Sequence, residues 1–326
     1  MTQPLLVVDA LRTHFSTRAG VVRAVDDVSF TVGSGEVVAL VGESGSGKSM
    51  TGYSIMGLID PPGRIVGGAL RFHGRDLATL SPEAMRQLRG SRIAMIFQDP
   101  MMTLNPVLRI DTQMVEAVLA HDNVSRALAL ERARNALVRV GIPAPDERLR
   151  GYPHQFSGGM RQRVAIAIAL LNEPELIIAD EPTTALDVTI QGQILYEMQK
   201  LSRETGAALL WITHDLSVVA GLADRICVMY AGRVVEQGTA QEVLGAPRHP
   251  YTRGLLDSVP GNAPVQGRLK QIPGMTPSLL ELPPGCPFRS RCAHADAECE
   301  RDPVMRQIGG EGQGIRCFHP LPAAIA

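Results

Sequence analysis

The sequence has no hydrophobic run long enough to cross a membrane. Its longest apolar run, Val164–Leu171, has eight residues, whereas a membrane-spanning helix needs about 20. The N-terminus lacks the basic region and apolar stretch that form a signal peptide. We therefore expect no transmembrane segment and, by default, a cytoplasmic location.

An excess of charge of either sign is also lacking. The 326 residues include 32 Lys+Arg and 33 Asp+Glu, which gives a net charge of −1. This balance provides no electrostatic argument for nucleic-acid binding. With 45% hydrophobic and 20% charged residues, the composition is typical of a globular protein, and its length allows about two domains of ~150 residues.

Lysine and cysteine are scarce, and their positions are informative. Only three of the 32 basic residues are lysines, and one of these is Lys48. Four of the five cysteines lie in the last 41 residues. In a cytosolic chain such a cluster favours metal binding over disulfides.

The hydrophobic pattern predicts an α/β fold with a parallel sheet, because helical segments separate short apolar runs. The predicted strands are Leu5–Val8, Val25–Val32, Val37–Val41, Ile93–Phe97, Leu176–Ala179, Ala207–Thr213 and Arg225–Tyr230. Residues of about 105–172 show helical periodicity and predict a mostly helical subdomain. Residues 246–287 contain nine prolines and predict an extended linker.

A phosphate-binding loop follows the predicted strand Val37–Val41. Gly42–Ser49 fits the pattern G-x-x-x-x-G-K-[ST] in full, between a predicted strand and a predicted helix at Lys48–Leu58. Its glycines let backbone N–H groups curl around phosphates, and the helix N-terminus favours an anion. Lys48 is a compact charge that can reach the β- and γ-phosphates, and Ser49 offers a hydroxyl to Mg²⁺. The sequence therefore predicts a nucleotide site that uses Mg²⁺.

Polar residues at the ends of three other predicted strands suit the same chemistry. Asp180 and Glu181 follow Leu176–Ala179, and ligands bind at such strand ends in open α/β sheets. Asp180 is expected to hold Mg²⁺ through water, and Glu181 to act as general base for the attacking water. Gln98 is suited to contact the metal-bound water, and His214 to contact the γ-phosphate.

A second anion-binding arrangement precedes the helical run Val164–Leu171. Ser157, Gly158 and Gly159 lie just before this run, and backbone N–H groups at such a helix start can face an anion. The loop Gly42–Ser49 can already wrap one side of a triphosphate. The second loop therefore predicts contact with a nucleotide held by another chain, in a head-to-tail dimer.

In their order along the chain, these motifs resemble the nucleotide-binding subunit of an ABC transporter, over about residues 5–245. The resemblance implies ATP contacts from Phe15 (stacked on adenine), Gly42, Ser44, Gly45, Ser46, Gly47, Lys48, Ser49, Met50, Gln98 and Asp180. It implies Mg²⁺ contacts from Ser49, Gln98 and Asp180, and catalytic roles for Glu181, His214 and Gln98. It also implies contacts with the partner's ATP from the signature residues Ser157, Gly158, Gly159 and Arg161, and a D-loop role for Asp187. Phe156 and Met160 depart from the common signature Leu-Ser-Gly-Gly-Gln.

Three further segments resemble oligopeptide and dipeptide importers: Gln98–Pro106, His249–Leu256 and Gly285–Cys292. This resemblance implies a P-loop NTPase core at 1–245, which includes the helical subdomain, and a C-terminal extension at 246–326. It also implies a heterodimer with a second, related ATPase, two transmembrane permease subunits, an extracytoplasmic solute-binding protein contacted indirectly, and no nucleic acid. The location implied is the cytoplasmic face of the inner membrane, as a peripheral protein.

The four C-terminal cysteines have the spacing C-x5-C-x6-C-x17-C; they are Cys286, Cys292, Cys299 and Cys317. Four thiolates in a short, Pro-rich segment suggest a metal that stabilises it. The lack of a C-x2-C pair weakens a zinc ribbon, and four cysteines also suit a [4Fe–4S] cluster, so spacing leaves both open. Similar tails in dipeptide-type ATPases carry a [4Fe–4S] cluster, so the resemblance favours iron–sulfur, with zinc as the alternative.

The function that the resemblance implies is ATP hydrolysis coupled to peptide uptake through partner membrane subunits. An importer subunit for another solute such as nickel stays open, because selectivity resides in other subunits. A soluble ABC ATPase acting on DNA or ribosomes is a further alternative, but such proteins carry long coiled coils or two ATPase cores, which this sequence does not contain. A regulator with a zinc-binding interaction module is the third alternative.

Overall fold

The computed structural model describes residues 3–183, 188–259, 271–309 and 312–322. The chain divides into two compact units. The first comprises Met1–Val32, Val37–Thr79 and Ile212–Ala326, and the second comprises Gly33–Glu36 and Leu80–Trp211.

The described residues form strands and helices in alternation through most of the chain. The strands are β1 (Leu6–Thr17), β2 (Gly20–Val32), β3 (Val37–Val41), β4 (Gly63–Phe72), β5 (Arg75–Asp76), β6 (Ile93–Ile96), β7 (Leu176–Asp180), β8 (Ala208–Thr213), β9 (Arg225–Tyr230), β10 (Arg233–Thr239), β11 (Arg306–Gln307) and β12 (Gly314–Ile315). The α-helices are α1 (Lys48–Met56), α2 (Pro82–Leu88), α3 (Ile110–Leu119), α4 (Arg126–Arg139), α5 (Pro145–Arg148), α6 (Gly158–Leu170), α7 (Val188–Thr205), α8 (Leu216–Val219), α9 (Ala240–Gly245) and α10 (Pro250–Asp257). Short 3-10 turns lie at Leu77–Thr79, Pro100–Met102, Pro153–Gln155, Arg289–Arg291 and Ala297–Glu300. Within the described ranges, no helix has both the length and the apolar character that a membrane span requires.

The first unit contains an antiparallel sheet of order β2-β1-β4-β5 and a set of paired strands of order β11-β12-β10-β9-β3. β3 pairs in parallel with β9, from Val38 opposite Arg225 to Val41 opposite Val228. All five residues of β3 are buried, as expected for an apolar strand covered on both faces. This strand leads directly into the phosphate-binding loop.

The second unit contains β6 and β7, which pair in parallel from Ile93 opposite Leu176 to Ile96 opposite Ala179. It also contains α3 to α6, and α4 packs against α3 and α6. The buried residues Ala129, Ala133 and Leu137 recur every four positions along α4, which places them on one face. Helices therefore occupy much of the region for which a helical subdomain is predicted.

Three predicted elements have clearly different bounds in the structure. β2 begins at Gly20, five residues before the predicted Val25. β1 extends to Thr17, well beyond the predicted Leu5–Val8, because shifts in its pairing with β2 break the regular alternation that marks a strand. α1 ends at Met56, whereas the prediction reached Leu58. Gly57 takes a left-handed φ of 61° and closes the helix.

The segment predicted as an extended linker contains a helix, so that prediction is wrong over α10. Pro250 occupies the start of α10, where its missing N–H costs nothing. His249 caps the helix, since its Nδ1 accepts the N–H of Tyr251 at 3.0 Å. Tyr251 is fully buried. A proline at a helix start and a proline in a loop look alike in sequence.

The C-terminal extension is part of the core of the first unit. β12 pairs with β10, with Glu236 opposite Ile315. The guanidinium of Arg316 donates to the carboxylate of Asp27 at 2.8 Å. A buried cluster joins β3 to the extension; its members include Ala39, Val41, Tyr230, Tyr251, Cys286, Phe288 and Cys299.

Candidate functional site

The phosphate-binding loop has a backbone that only glycine fits at two positions. Gly42 has φ +155° and Gly47 has φ +100°, conformations that L side chains rarely adopt. A Cβ on Gly42 would lie 2.2 Å from the carbonyl oxygen of Met229, and one on Gly47 would lie 2.2 Å from that of Ala24. The loop therefore packs tightly against the backbone of its own unit.

Lys48 lies at the centre of this loop with only 4% of its surface exposed. Its Nζ donates to the carbonyl oxygens of Gly42 at 2.8 Å and Glu43 at 2.9 Å. It also reaches the hydroxyl of the buried Ser46 at 3.4 Å. These contacts curl the loop around the ammonium, the arrangement that a phosphate-binding lysine requires.

The remaining loop residues lie at its exposed tip or in the first turn of α1. Ser44 and Gly45 form the exposed tip. Ser49 and Met50 are half-buried in α1, whose first turn carries no acidic residue. The first turn of α1 therefore contributes no carboxylate that would oppose an anion.

Phe15, the predicted adenine-stacking residue, lies near the end of β1. Its ring lies against Gly63, where an added Cβ would come within 2.4 Å of Cε1. Two residues earlier, the hydroxyl of Thr13 hydrogen-bonds that of Ser54 on α1 at 2.7 Å. The strand that carries Phe15 is thus attached to the helix that follows the phosphate loop.

In the second unit, the structure brings Gln98 and Glu181 together. Nε2 of Gln98 donates to Oε2 of Glu181 at 3.1 Å. Asp180 ends the fully buried β7 and is 1% exposed. Glu181 has φ +45°, which is uncommon for a residue other than glycine and costs conformational energy. The strain therefore lies in the backbone of Glu181, and its role as general base stays a prediction.

The signature segment begins helix α6. The hydroxyl of Ser157 caps the helix by accepting the N–H of Met160 at 3.3 Å. Gly158 and Gly159 form the first turn, and the N–H of Arg161 donates to the Ser157 carbonyl at 2.9 Å. Phe156, which replaces the leucine of the common signature, is buried. Its side chain therefore packs in the protein interior and does not face a ligand.

The remaining predicted site residues are His214 and Asp187. His214 is exposed and directly follows β8, as predicted. Asp187 lies outside the described residues, and its D-loop role stays a prediction.

Three of the four cysteines of the extension lie in one hydrophobic cluster, in which Cys286 and Cys299 are buried and Cys292 packs against them. Burial raises the pKa of the Cys286 and Cys292 thiols, and it raises that of Cys317 to about 11. The backbone N–H of His294 donates to the Cys292 sulfur at 3.4 Å, and that of Arg289 donates to the Cys286 carbonyl oxygen at 3.0 Å. An N–H donor favours the thiolate, the form that binds metals, whereas burial favours the neutral thiol.

Among the described residues, no three of these sulfurs lie within 4.8 Å of one another. Four thiolates bound to one zinc at about 2.3 Å would lie only about 3.8 Å apart. In the part of the chain that the structure describes, the only group of three or more such ligand atoms within 4.8 Å is Asp296, Cys299 and His319. It contains one cysteine, and His319 is already paired with Asp296 at 2.9 Å.

Comparison with known proteins identifies the family. The model of the family described as "ABC transporter" matches residues 25–184, and that of "Oligopeptide/dipeptide transporter, C-terminal region" matches residues 235–299. The oligopeptide transport ATP-binding protein OppD of Salmonella typhimurium is 48% identical over 97% of this chain and 94% of its own length. The chain belongs to the ABC transporter family.

Two other similarities agree with this family. The dipeptide transport ATP-binding protein DppD of Bacillus subtilis is 48% identical over 97% of this chain and 95% of its own length. A solved dimeric ATP-binding cassette bound to ADP and Pi is 26% identical, with a TM-score of 0.67, over 72% of this chain and 98% of that one. The predicted α/β P-loop fold and ATPase activity are confirmed.

Sequence reasoning missed one contact in this ABC ATPase. Arg291 of the C-terminal extension forms a two-point ion pair with Glu43 of the phosphate loop, with distances of 2.6 Å from Nη1 to Oε2 and 2.9 Å from Nη2 to Oε1. An acidic residue in an anion-binding loop is a sequence signal that a cation must lie nearby. Nothing in the local sequence says which of the arginines supplies it.

Proposed function

We propose that this ABC ATPase is the ATP-hydrolysing subunit of a peptide importer of the oligopeptide/dipeptide type. The observation that supports this most is the presence of an ABC core and an oligopeptide/dipeptide C-terminal region in one chain. Relatives that match 97% of the chain are named oligopeptide and dipeptide transport ATP-binding proteins. ATP binding and hydrolysis would be coupled to solute uptake through partner subunits.

We assign the chemical roles from the motifs. Glu181 accepts the proton of the attacking water while Gln98 fixes its carboxylate. Lys48 and His214 stabilise the charge that develops on the γ-phosphate. Ser49, Gln98 and Asp180 would hold Mg²⁺, which neutralises phosphate charge when it is bound. Phe15 would stack on the adenine.

The partners follow from the same proposal. Ser157, Gly158, Gly159 and Arg161 would contact ATP bound to a second, related ATPase in a heterodimer, and Asp187 would contribute through the D-loop. The solved cassette similar to this chain is dimeric. Two transmembrane permease subunits would hold the pair at the cytoplasmic face of the inner membrane, and an extracytoplasmic protein would deliver the solute.

We infer that the extension holds a [4Fe–4S] cluster through Cys286, Cys292, Cys299 and Cys317. The support is the resemblance of the four-cysteine segment to the tails of dipeptide-type ATPases, together with the packing of Cys286, Cys292 and Cys299 in one cluster. When bound, the cluster would crosslink the extension. Anaerobic purification should yield about four irons per chain and a brown colour bleached by dithionite. One zinc and no colour would overturn this assignment and leave the ATPase intact.

Peptide uptake by cells tests the function. An amino-acid auxotroph that lacks this chain should fail to grow on peptides that contain the required residue, and the wild-type gene should restore growth. Glu181→Gln should bind ATP but not restore growth, because loss of a general base slows turnover by about 10²–10⁴-fold. Normal peptide use without the chain, together with impaired nickel uptake, would identify another solute. Near-normal ATP turnover by Glu181→Gln would refute the role of Glu181.

A further inference from the structure

Glu43 places a negative charge in a loop that must bind phosphates. It occupies the first x position of the pattern G-x-x-x-x-G-K-[ST], and its side chain is 28% exposed. Hydrogen bonds from Arg291 lower the pKa of the Glu43 carboxyl, so it is ionised at neutral pH. An uncompensated carboxylate here would repel a triphosphate.

Arg291 is held rigidly where it can compensate this charge. Its side chain is only 4% exposed, and Nε donates to the carbonyl of Pro273 at 2.9 Å. The guanidinium lies over the rings of Tyr230 and Phe288, 5.8 and 5.9 Å from their centroids. A guanidinium fixed in this way meets a carboxylate at two points without a further loss of side-chain entropy.

Other residues C-terminal to the ABC core hold Glu43 as well. The hydroxyl of Thr276 donates to Oε2 of Glu43 at 3.1 Å. The backbone N–H of Glu43 donates to the hydroxyl of Tyr251 at 2.9 Å. The carbonyl of Glu43 accepts from Lys48, so a displacement of Glu43 would also move the lysine that serves the phosphates.

We propose that Arg291 is a positioning residue for ATP binding, which neutralises Glu43 and holds the phosphate loop around Lys48. The proposal rests on ATP binding by this loop and not on peptide import. It makes the extension a part of the nucleotide site. Arg291 lies in the 3-10 turn Arg289–Arg291, between Cys286 and Cys292, so the fold of the cysteine site sets the position of this arginine.

Binding of a fluorescent ATP analogue to the purified full-length chain tests the proposal. Arg291→Met should weaken binding by about tenfold. A change of this size is within the usual range of interaction energies between two residues in contact, here Arg291 and Glu43. Arg289→Met is the matched control from the same turn. Arg289 forms an ion pair with the exposed Glu300 at 3.4 Å, and loss of such a surface pair should leave binding within about twofold.

Rescue separates positioning from general stability. Glu43→Gln removes the repulsive charge, so the double variant Glu43→Gln/Arg291→Met should bind the analogue several-fold more tightly than Arg291→Met alone. A double variant that binds no better than Arg291→Met would overturn the proposal. A gain in binding that only follows a matching rise in melting temperature would overturn it as well, because a purely structural ion pair predicts both together. Unchanged binding by folded Arg291→Met would overturn it too. If Arg291→Met does not fold, Arg291→Lys should show a smaller loss with the same rescue.

Discussion

Acid should loosen helix α10, because His249 is neutral in the folded protein. The ring is completely buried, and burial lowers its pKa from 6.5 to about 3. Nδ1 accepts the N–H of Tyr251 at 3.0 Å, and the ring also hydrogen-bonds the backbone of Arg316. Protonation of Nδ1 would place its N–H against the N–H of Tyr251 and abolish this hydrogen bond. The neutral form is therefore required for the cap of α10.

The sign and size of the effect follow from linkage. The pKa of His249 is lower in the folded state, so its contribution to stability is complete above pH 6.5 and declines as the pH falls towards 3. Each pH unit in this window costs about 1.4 kcal/mol, so at pH 5 the loss is about 2 kcal/mol. This corresponds to roughly a 30-fold loss of protection of the α10 amides against hydrogen exchange.

Hydrogen exchange of α10, corrected for the intrinsic rates at pH 7 and pH 5, measures this loss. His249→Asn is the control, since asparagine is a good N-cap that does not titrate. Glu236 accepts the N–H of His249 and has a pKa that burial raises; it is present in both proteins, so the difference isolates His249. Equal losses of protection in wild type and His249→Asn would refute the reasoning.

Three further predictions concern other parts of the chain. Gly47→Ala should abolish binding of the ATP analogue, because the added Cβ would lie 2.2 Å from the carbonyl oxygen of Ala24. Gly45→Ala is the control: its Cβ would meet no atom within 4 Å, so it should cost only about 1–2 kcal/mol of backbone strain. Ser157→Asp should preserve the melting temperature, since aspartate also caps helices, but should abolish ATP turnover by the assembled dimer through repulsion of the partner's phosphates; normal turnover would exclude contact of the signature with ATP. Arg316→Met should lower the stability of the β10–β12 pairing by about 1–3 kcal/mol, measured by hydrogen exchange, because it leaves the carbonyl of Val234 and the carboxylate of Asp27 without this donor.

The phosphate loop and the strand ends could be predicted because their chemistry is local. Eight consecutive residues specify the loop, and the strand before it is apolar throughout because both faces are covered. Gln98 and Glu181 lie 83 positions apart, yet each follows a predicted strand, and parallel strands bring such ends to one edge. Their hydrogen bond follows from topology and needs no knowledge of side-chain packing.

The extension could not be predicted in this way, because its structure depends on distant contacts. α10 is short and begins at a proline. Its buried Tyr251 packs in a cluster with Tyr230, Phe288 and residues of β3, and these contacts leave no helical periodicity in the local sequence. β12 has two residues and exists only because the edge of β10 is available to it. Neither element has a local pattern strong enough to be distinguished from a loop.

The ion pair between Glu43 and Arg291 spans 248 positions. The sequence of the phosphate loop shows the acidic residue but does not indicate which arginine pairs with it. The acid in the phosphate loop conflicts with the loop's task, and natural sequences resolve such conflicts through tertiary contacts. The solution comes from the segment that the sequence presents as a separate cysteine-bearing tail. Since that segment also supplies Tyr251 and Thr276 to the same glutamate, removal of the tail should disturb ATP binding as well as any metal site. The extension and the phosphate loop are therefore one structural unit, although their motifs lie at opposite ends of the chain.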